Sequence, residues 1–290
     1  MVRYATHFEE NEATRSQAVL LEIMTILGSY REHIYLVGGW APYFLLKLFQ
    51  RPEDTFEHVG SIDIDLVIDF TQIEESQYQT IVNLLLKRNY QQRLDKLGRV
   101  IPFTFQRHYK GVEIQIDFLA GEYGGTGKKH CHQRIQDDLL ARKARGADIL
   151  PQHHISFDLS GVLPDGAENT CKIKVASIVS ALTMKGITIS ERYKEKDAYD
   201  IYSLIAHYKE GAASALQEIK ENLANGLVSE GMRGLAQKFE TAKSPGPTWA
   251  AKFMEPKNEN EAALRQAKIF NSVRPFVEGV EKALRRTTKK

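Results

Sequence analysis

The chain of 290 residues has only two cysteines, Cys131 and Cys171. They stand 40 residues apart, in no C-x-x-C pair and at no zinc-ligand spacing. This excludes a disulfide framework and points to two free thiols in a reducing compartment. No stretch reaches 18 consecutive apolar residues, so no helix is expected to span a membrane. Residues 1–11 are polar and lack the apolar core of a signal peptide. The expectation is a cytoplasmic protein without a membrane partner. Charge of either sign is not in excess: the formal net charge is +2. Bulk charge therefore assigns no partner. There is no internal repeat and no low-complexity tract.

What is present is an ordinary globular composition, 42% apolar and 26% charged, enough for one large domain or two modest ones. Basic residues gather at Lys128, Lys129, Arg134, Arg142, Lys143 and Arg145, and again at Arg285, Arg286, Lys289 and Lys290. Such clusters suit nucleic-acid phosphates and suit solvated surface equally. His130, Cys131 and His132 are too tightly spaced for a tetrahedral zinc site, and His153-His154 reads as surface.

Apolar spacing predicts a helix over 13–29 and a short strand at Ile34–Val37. Gly38-Gly39 then turns the chain into a helix from Trp40 to Phe49. A second strand is expected at Ile62–Ile68, a helix at Tyr78–Arg88, and an antiparallel pair at Pro102–Arg107 and Val112–Leu119 turning at Gly111. Residues 121–127 hold four glycines and read as a loop. Ile155–Leu159 reads as a strand. From about Lys172 the pattern becomes helical: Ile173–Leu182 ending near Gly186, Glu195–Tyr208, then runs in 211–240 and 259–285, with Ser244-Pro245-Gly246-Pro247 between them. The expected organisation is an α/β domain over 1–165 followed by a helical domain over 166–290.

Within Ser61-Ile62-Asp63-Ile64-Asp65-Leu66, side chains two apart share a strand face. Ile62, Ile64 and Leu66 then enter a core, and Ser61, Asp63 and Asp65 face the other way. Two like charges on one face call for a cation between them. Glu113, Gln115 and Asp117 share a face in Val112–Phe118. If that strand lies near the first, Asp63, Asp65 and Asp117 converge as a site for Mg²⁺, which neutralises triphosphate charge. The glycine turn lets backbone N–H groups approach phosphates. A second cluster, Lys185, Arg192, Lys194, Lys196, Asp197 and Asp200, carries a mobile phosphate-binding ammonium at Lys185. Asp197 sits near a helix start, where the dipole favours an acid.

At these residues the chain resembles polymerase-β-type nucleotidyltransferases, and among them the AbiEii/AbiGii-like toxins of bacterial toxin–antitoxin and phage-defence systems. That family has a GG turn followed by S-x-D-[ILV]-D-[LF], matched by Gly38-Gly39 and Ser61–Leu66. Its later K-x(6)-R-x-K-x-[KR]-D-x-x-D segment is matched from Lys185 to Asp200. The resemblance spans roughly residues 30–210.

It implies an α+β fold: a nucleotidyltransferase domain with a mixed sheet, then a helical domain that completes the active site. It implies Mg²⁺-dependent transfer of a nucleotide from an NTP, with Asp63 and Asp65 on the metal. Gly38, Gly39, Ser61 and Lys185 would contact the nucleotide, and Asp197 would be a base or an orienting acid. It further implies an RNA acceptor such as tRNA, and a winged-helix antitoxin encoded nearby. Trp40 stands where the family usually has Ser or Thr. The run GGWA and His58 are also similar to aminoglycoside and lincosamide nucleotidyltransferases, so a small-molecule acceptor is the alternative. Glu53, Asp54 and Glu57 would then line an acidic pocket. A catalytically idle binding module is a third reading.

Overall fold

The computed structural model describes residues 5, 10–73, 80–125 and 131–287. Lys128, Lys129, His130, Lys289, Lys290 and the start of the helix expected at Tyr78 lie outside these. Among the described residues, contacts divide the chain into two compact units. One runs to Trp40 and resumes over Ser61–Ala176; the other comprises Ala41–Gly60 and everything from Ser177 onward. This division differs from a single cut at 165: a short internal segment goes with the helices, and the sheet keeps the chain as far as Ala176.

Among the described residues, the first unit is a mixed nine-stranded sheet with helix α1 (Glu10–Ile26). Its strands are β1 (Ile34–Val37), β2 (Ile64–Ile68), β3 (Gln91–Leu94), β4 (Val100–Tyr109), β5 (Val112–Ala120), β6 (His132–Gln136), β7 (Leu139–Lys143), β8 (His154–Val162) and β9 (Glu168–Ala176). The order is β3-β4-β5-β2-β1-β9-β8, with β7 pairing both β5 and β6. The two central strands, β1 and β2, are antiparallel. β2 runs parallel to β5, and β1 parallel to β9. Central strands buried on both faces read as apolar runs, as Ile34–Val37 does, with every residue buried. Val19, Leu20, Ile23 and Met24 of α1 are fully buried. Ser16 Oγ of the same helix donates to the Ile62 carbonyl at 2.7 Å. That bond fixes the backbone one residue before Asp63.

The second unit is helical. Beyond α2 (Trp40–Phe49), whose first residue belongs to the sheet unit, it holds α4 (Ile178–Glu191), α5 (Glu195–His207), α6 (Ala212–Asn222), α7 (Gly226–Lys238), α8 (Pro245–Phe253) and α9 (Glu259–Thr287). The short α3 (Ile81–Leu86) lies in the sheet unit and is capped by Thr80, whose side chain accepts from Asn83 N–H. No described helix is long and apolar enough to cross a membrane.

Three expectations are corrected. The helix expected from Ile173 is strand β9 up to Ala176, and α4 begins at Ile178. Cys171, Ile173 and Val175 are buried with period two while pairing to β8 and β1, and this alternation overrides the helical reading. The helix does not end near Gly186 but continues to Glu191. A Cβ at Gly186 would sit 2.1 Å from the Gly231 carbonyl oxygen of α7, so this glycine permits two helices to touch rather than stopping one. Ser244-Pro245-Gly246-Pro247 is not a linker but the start of α8, with proline in the first turn where its missing N–H costs nothing.

Candidate active site

In the sheet unit, the parallel register of β2 and β5 sets Asp65 opposite Asp117. Registered partners share a face, and Leu66 and Phe118, on the other face, are fully buried. Asp117 is held by two donors: Thr104 Oγ1 at 2.6 Å and Gln115 Nε2 at 2.8 Å. Thr104 is its antiparallel partner on β4; sequence reading did not single it out.

Asp65 also faces Val37, the last residue of β1. The Gly38 turn follows with φ +66°, and a Cβ on Gly38 would fall 1.9 Å from Asp65 Oδ2. The glycine is thus required twice, by its left-handed backbone and by the carboxylate filling its missing side chain. Trp40 is fully buried, so its indole is core rather than a substitute for a phosphate-binding hydroxyl.

Asp63 lies one residue before β2 begins, in a bend. Ser61 does not share an open face with the aspartates as expected. It is buried, and its hydroxyl donates to the Asp63 carbonyl at 2.9 Å. The chain has not yet entered the pleat there, so strand alternation does not reach it. Among the described residues no group of three or more His, Cys, Asp or Glu side chains is gathered closely enough to hold a metal ion. The adjacent pair Asp65 and Asp117 nonetheless fits a hard divalent cation. Mg²⁺ is commonly bound through one or two carboxylates plus substrate phosphates rather than by an all-protein cage.

In the helical unit, α4 and α5 bring a buried ion cluster together. Lys185 Nζ lies 2.6 Å from Asp200 Oδ2 and 3.4 Å from Asp197 Oδ1. Lys196 Nζ and His58 Nε2 each lie 3.0 Å from Asp200 Oδ1. Arg192 pairs with Asp197 Oδ2 at 3.1 Å. Asp200 is 1% exposed, Asp197 5% and Lys185 7%. Burial alone would neutralise such groups, but the opposing charges win. Burial raises the Asp197 and Asp200 carboxyls, yet Lys185 and its neighbouring cations hold both below the usual range. Burial likewise lowers Lys185, yet Asp200 and Asp197 keep its ammonium above the usual lysine value.

His58 completes the cluster as a neutral ring. Gly60 N–H donates to its Nδ1 at 3.1 Å, so its proton is on Nε2 and is donated to Asp200. Burial lowers its pKa to about 4. Sequence assigns no role to Asp200, seen only as a member of the second cluster, or to His58, seen only in the small-molecule resemblance, although the i, i+3 spacing of Asp197 and Asp200 and the i, i+4 spacing of Lys196 and Asp200 place all three near one another on α5. Asp54, expected in an acidic pocket for a small acceptor, instead pairs with His207 at 2.7 Å.

A family model described as the nucleotidyl transferase AbiEii toxin of a type IV toxin–antitoxin system matches residues 20–269. The chain belongs to this AbiEii family. It is therefore a nucleotidyltransferase of the toxin type, with an α+β architecture of mixed sheet and helices. A solved structure, that of an antigenic nucleotidyltransferase-like protein from Paracoccidioides brasiliensis, is similar at 15% identity over 79% of this AbiEii-family chain and 95% of that one, with a TM-score of 0.39. No curated protein matches. Type IV toxin–antitoxin membership implies that an antitoxin accompanies this AbiEii-family member.

Proposed function

We propose that this chain is a Mg²⁺-dependent nucleotidyltransferase that moves a nucleoside monophosphate from an NTP onto RNA, with tRNA as acceptor and a winged-helix antitoxin as partner. The observation that carries the reading is the register pair Asp65 and Asp117 beside the Gly38 turn, in a chain of this family.

Asp65 and Asp117 would hold the cation, with substrate phosphates completing its shell, and Asp63 would be recruited to it from the adjacent bend. When bound, Mg²⁺ neutralises triphosphate charge and stabilises the charge developing on the transferring phosphoryl group. The backbone amides of Gly38 and Gly39 approach the phosphates where no Cβ intervenes. Ser61 acts through the backbone: its hydroxyl, committed to the Asp63 carbonyl, fixes the bend that carries Asp63. In the helical unit Lys185 is pinned by Asp200 and Asp197, so it orders the α4–α5 cluster rather than acting as a mobile phosphate ligand. Asp197 orients Lys185 and Arg192. A carboxyl held below its usual range is a poor base at neutral pH, so orientation is the better reading.

The test incubates purified protein with Mg²⁺, each labelled NTP in turn, and total RNA. A labelled tRNA-sized band is expected, lost in D65N. Label on a small molecule but never on RNA would overturn the acceptor. Transfer persisting in D65N would overturn the metal assignment.

A further inference from the structure

The helical unit carries an aromatic pair that the chemistry above does not use. Tyr193, in the link between α4 and α5, is 52% exposed. Its ring meets Trp249 of α8 edge-on, with centroids 4.7 Å apart at 87°. Trp249 is only partly buried. The pair is held in place: the Tyr193 hydroxyl donates to Glu195 and accepts from Lys252 Nζ at 3.0 Å.

Cations surround these rings. Lys252 Nζ lies 5.6 Å from the Tyr193 centroid, and Lys238 Nζ, at the end of α7, lies 5.6 Å from that of Trp249. Arg192 and Lys194 flank Tyr193 and are exposed. Glu195 pairs with Lys252 and Asp197 with Arg192. A half-exposed ring with fixed orientation and a basic rim matches what single-stranded nucleic acid needs. Bases stack on the ring and phosphates meet the cations. An ammonium group lies over each ring, which favours a polyanion with π faces over an apolar protein surface.

We propose that Tyr193 and Trp249, with Lys238 and Lys252, form the platform on which single-stranded RNA rests. This inference depends on the RNA-acceptor reading and names the surface that takes the acceptor.

Anisotropy of a short fluorescein-labelled single-stranded RNA, titrated with the full chain, tests it. Y193A is expected to weaken binding about 5- to 150-fold, the usual loss for one stacked base, while Y193F stays within about twofold. In K238A/K252A the slope of log K against log salt should fall by about 1.4, or 0.7 per lost phosphate contact on a single strand. Trp40 is buried, so RNA should quench chiefly Trp249 emission, and W249F should abolish the quench. Melting of each variant without RNA establishes that it is folded. In label transfer, Y193A should raise the KM for RNA and leave that for NTP unchanged.

Wild-type transfer to RNA with Y193A binding and reacting as wild type would overturn the platform and leave the activity standing. Quenching by poly-glutamate equal to that by RNA would also overturn it, assigning the surface to an acidic protein. A wild type that neither binds nor labels RNA would overturn the acceptor reading, and the platform with it.

Discussion

The Cβ that Gly38 lacks would lie 1.9 Å from Asp65 Oδ2, so a single methyl group and the strand carboxylate compete for one volume. G38A should therefore displace Asp65 and add a left-handed backbone penalty of about 1–2 kcal/mol. The expected outcome is loss of label transfer together with a raised Mg²⁺ requirement. G98A is the control: Gly98 has φ +76° but nothing within 4 Å of the added carbon. It should lose similar stability and keep its activity, as read by urea unfolding and label transfer.

His58 makes stability depend on pH. Its folded pKa, about 4, is below the ordinary 6.5. Between these values the unfolded chain binds more protons than the folded one, so stability rises with pH across the window. The contribution is complete above 6.5, is lost as pH falls toward 4, and is flat below. A gap of that size is worth about 3 kcal/mol. Urea unfolding from pH 4 to 7 should show stability rising by about 3 kcal/mol less in H58Q than in wild type. Equal slopes would mean that His58 titrates normally.

Asp200 and Asp197 differ in what their loss strands. D200N leaves Lys185 and Lys196 around a neutral amide at a site 1% exposed. Breaking a buried pair in this way costs about 3–5 kcal/mol. D197N affects Lys185 and the half-exposed Arg192, whose charge retains water, and should cost about 1–3 kcal/mol. Denaturant midpoints should therefore rank wild type, D197N, D200N in falling order.

The contact between α4 and α7 tolerates no side chain. G186A sets a methyl group against the Gly231 carbonyl, and G231A one against Thr183, whose carbonyl would lie at 2.5 Å. Each should destabilise by about 1–3 kcal/mol or more through overpacking, seen as a lowered melting temperature. G226A, at the exposed start of α7 with nothing within 4 Å, should leave it nearly unchanged.

Local patterns were legible where one interaction dominates. The turn Gly38-Gly39 and the β4–β5 hairpin at Lys110-Gly111, with both residues at positive φ, follow from period-two alternation and glycine chemistry; alternation also gives the face of Asp65 and of Asp117 on each strand, whereas their pairing needs β2 and β5 to be neighbours, which the structure supplies. β3, β6 and β7 were not read, because strands of four or five residues owe their form to the neighbours they pair with. The same reason hid β9 behind its helix-like composition. In the site, Lys185, Asp197 and Asp200 are all in the motif, but the pairing among them and with His58 is not. His58 comes from a loop 142 positions from Asp200, a separation at which residue spacing carries no signal. Asp200 was in view as a motif letter, and only burial shows it to be the anion on which Lys185, Lys196 and His58 all converge.

The chain passes between its two units at Trp40, Gly60 and Ala176, and this shapes how it is made. Synthesis runs from the N-terminus, yet β1 gains its partner β9 only after some 140 further residues, through the pairing of Tyr35 with Lys174. The segment Ala41–Gly60 likewise waits for α5, which brings Asp200 to His58. A ribosome-bound chain thus holds Asp63 and Asp65 long before either unit is complete, and late contacts of this kind slow folding.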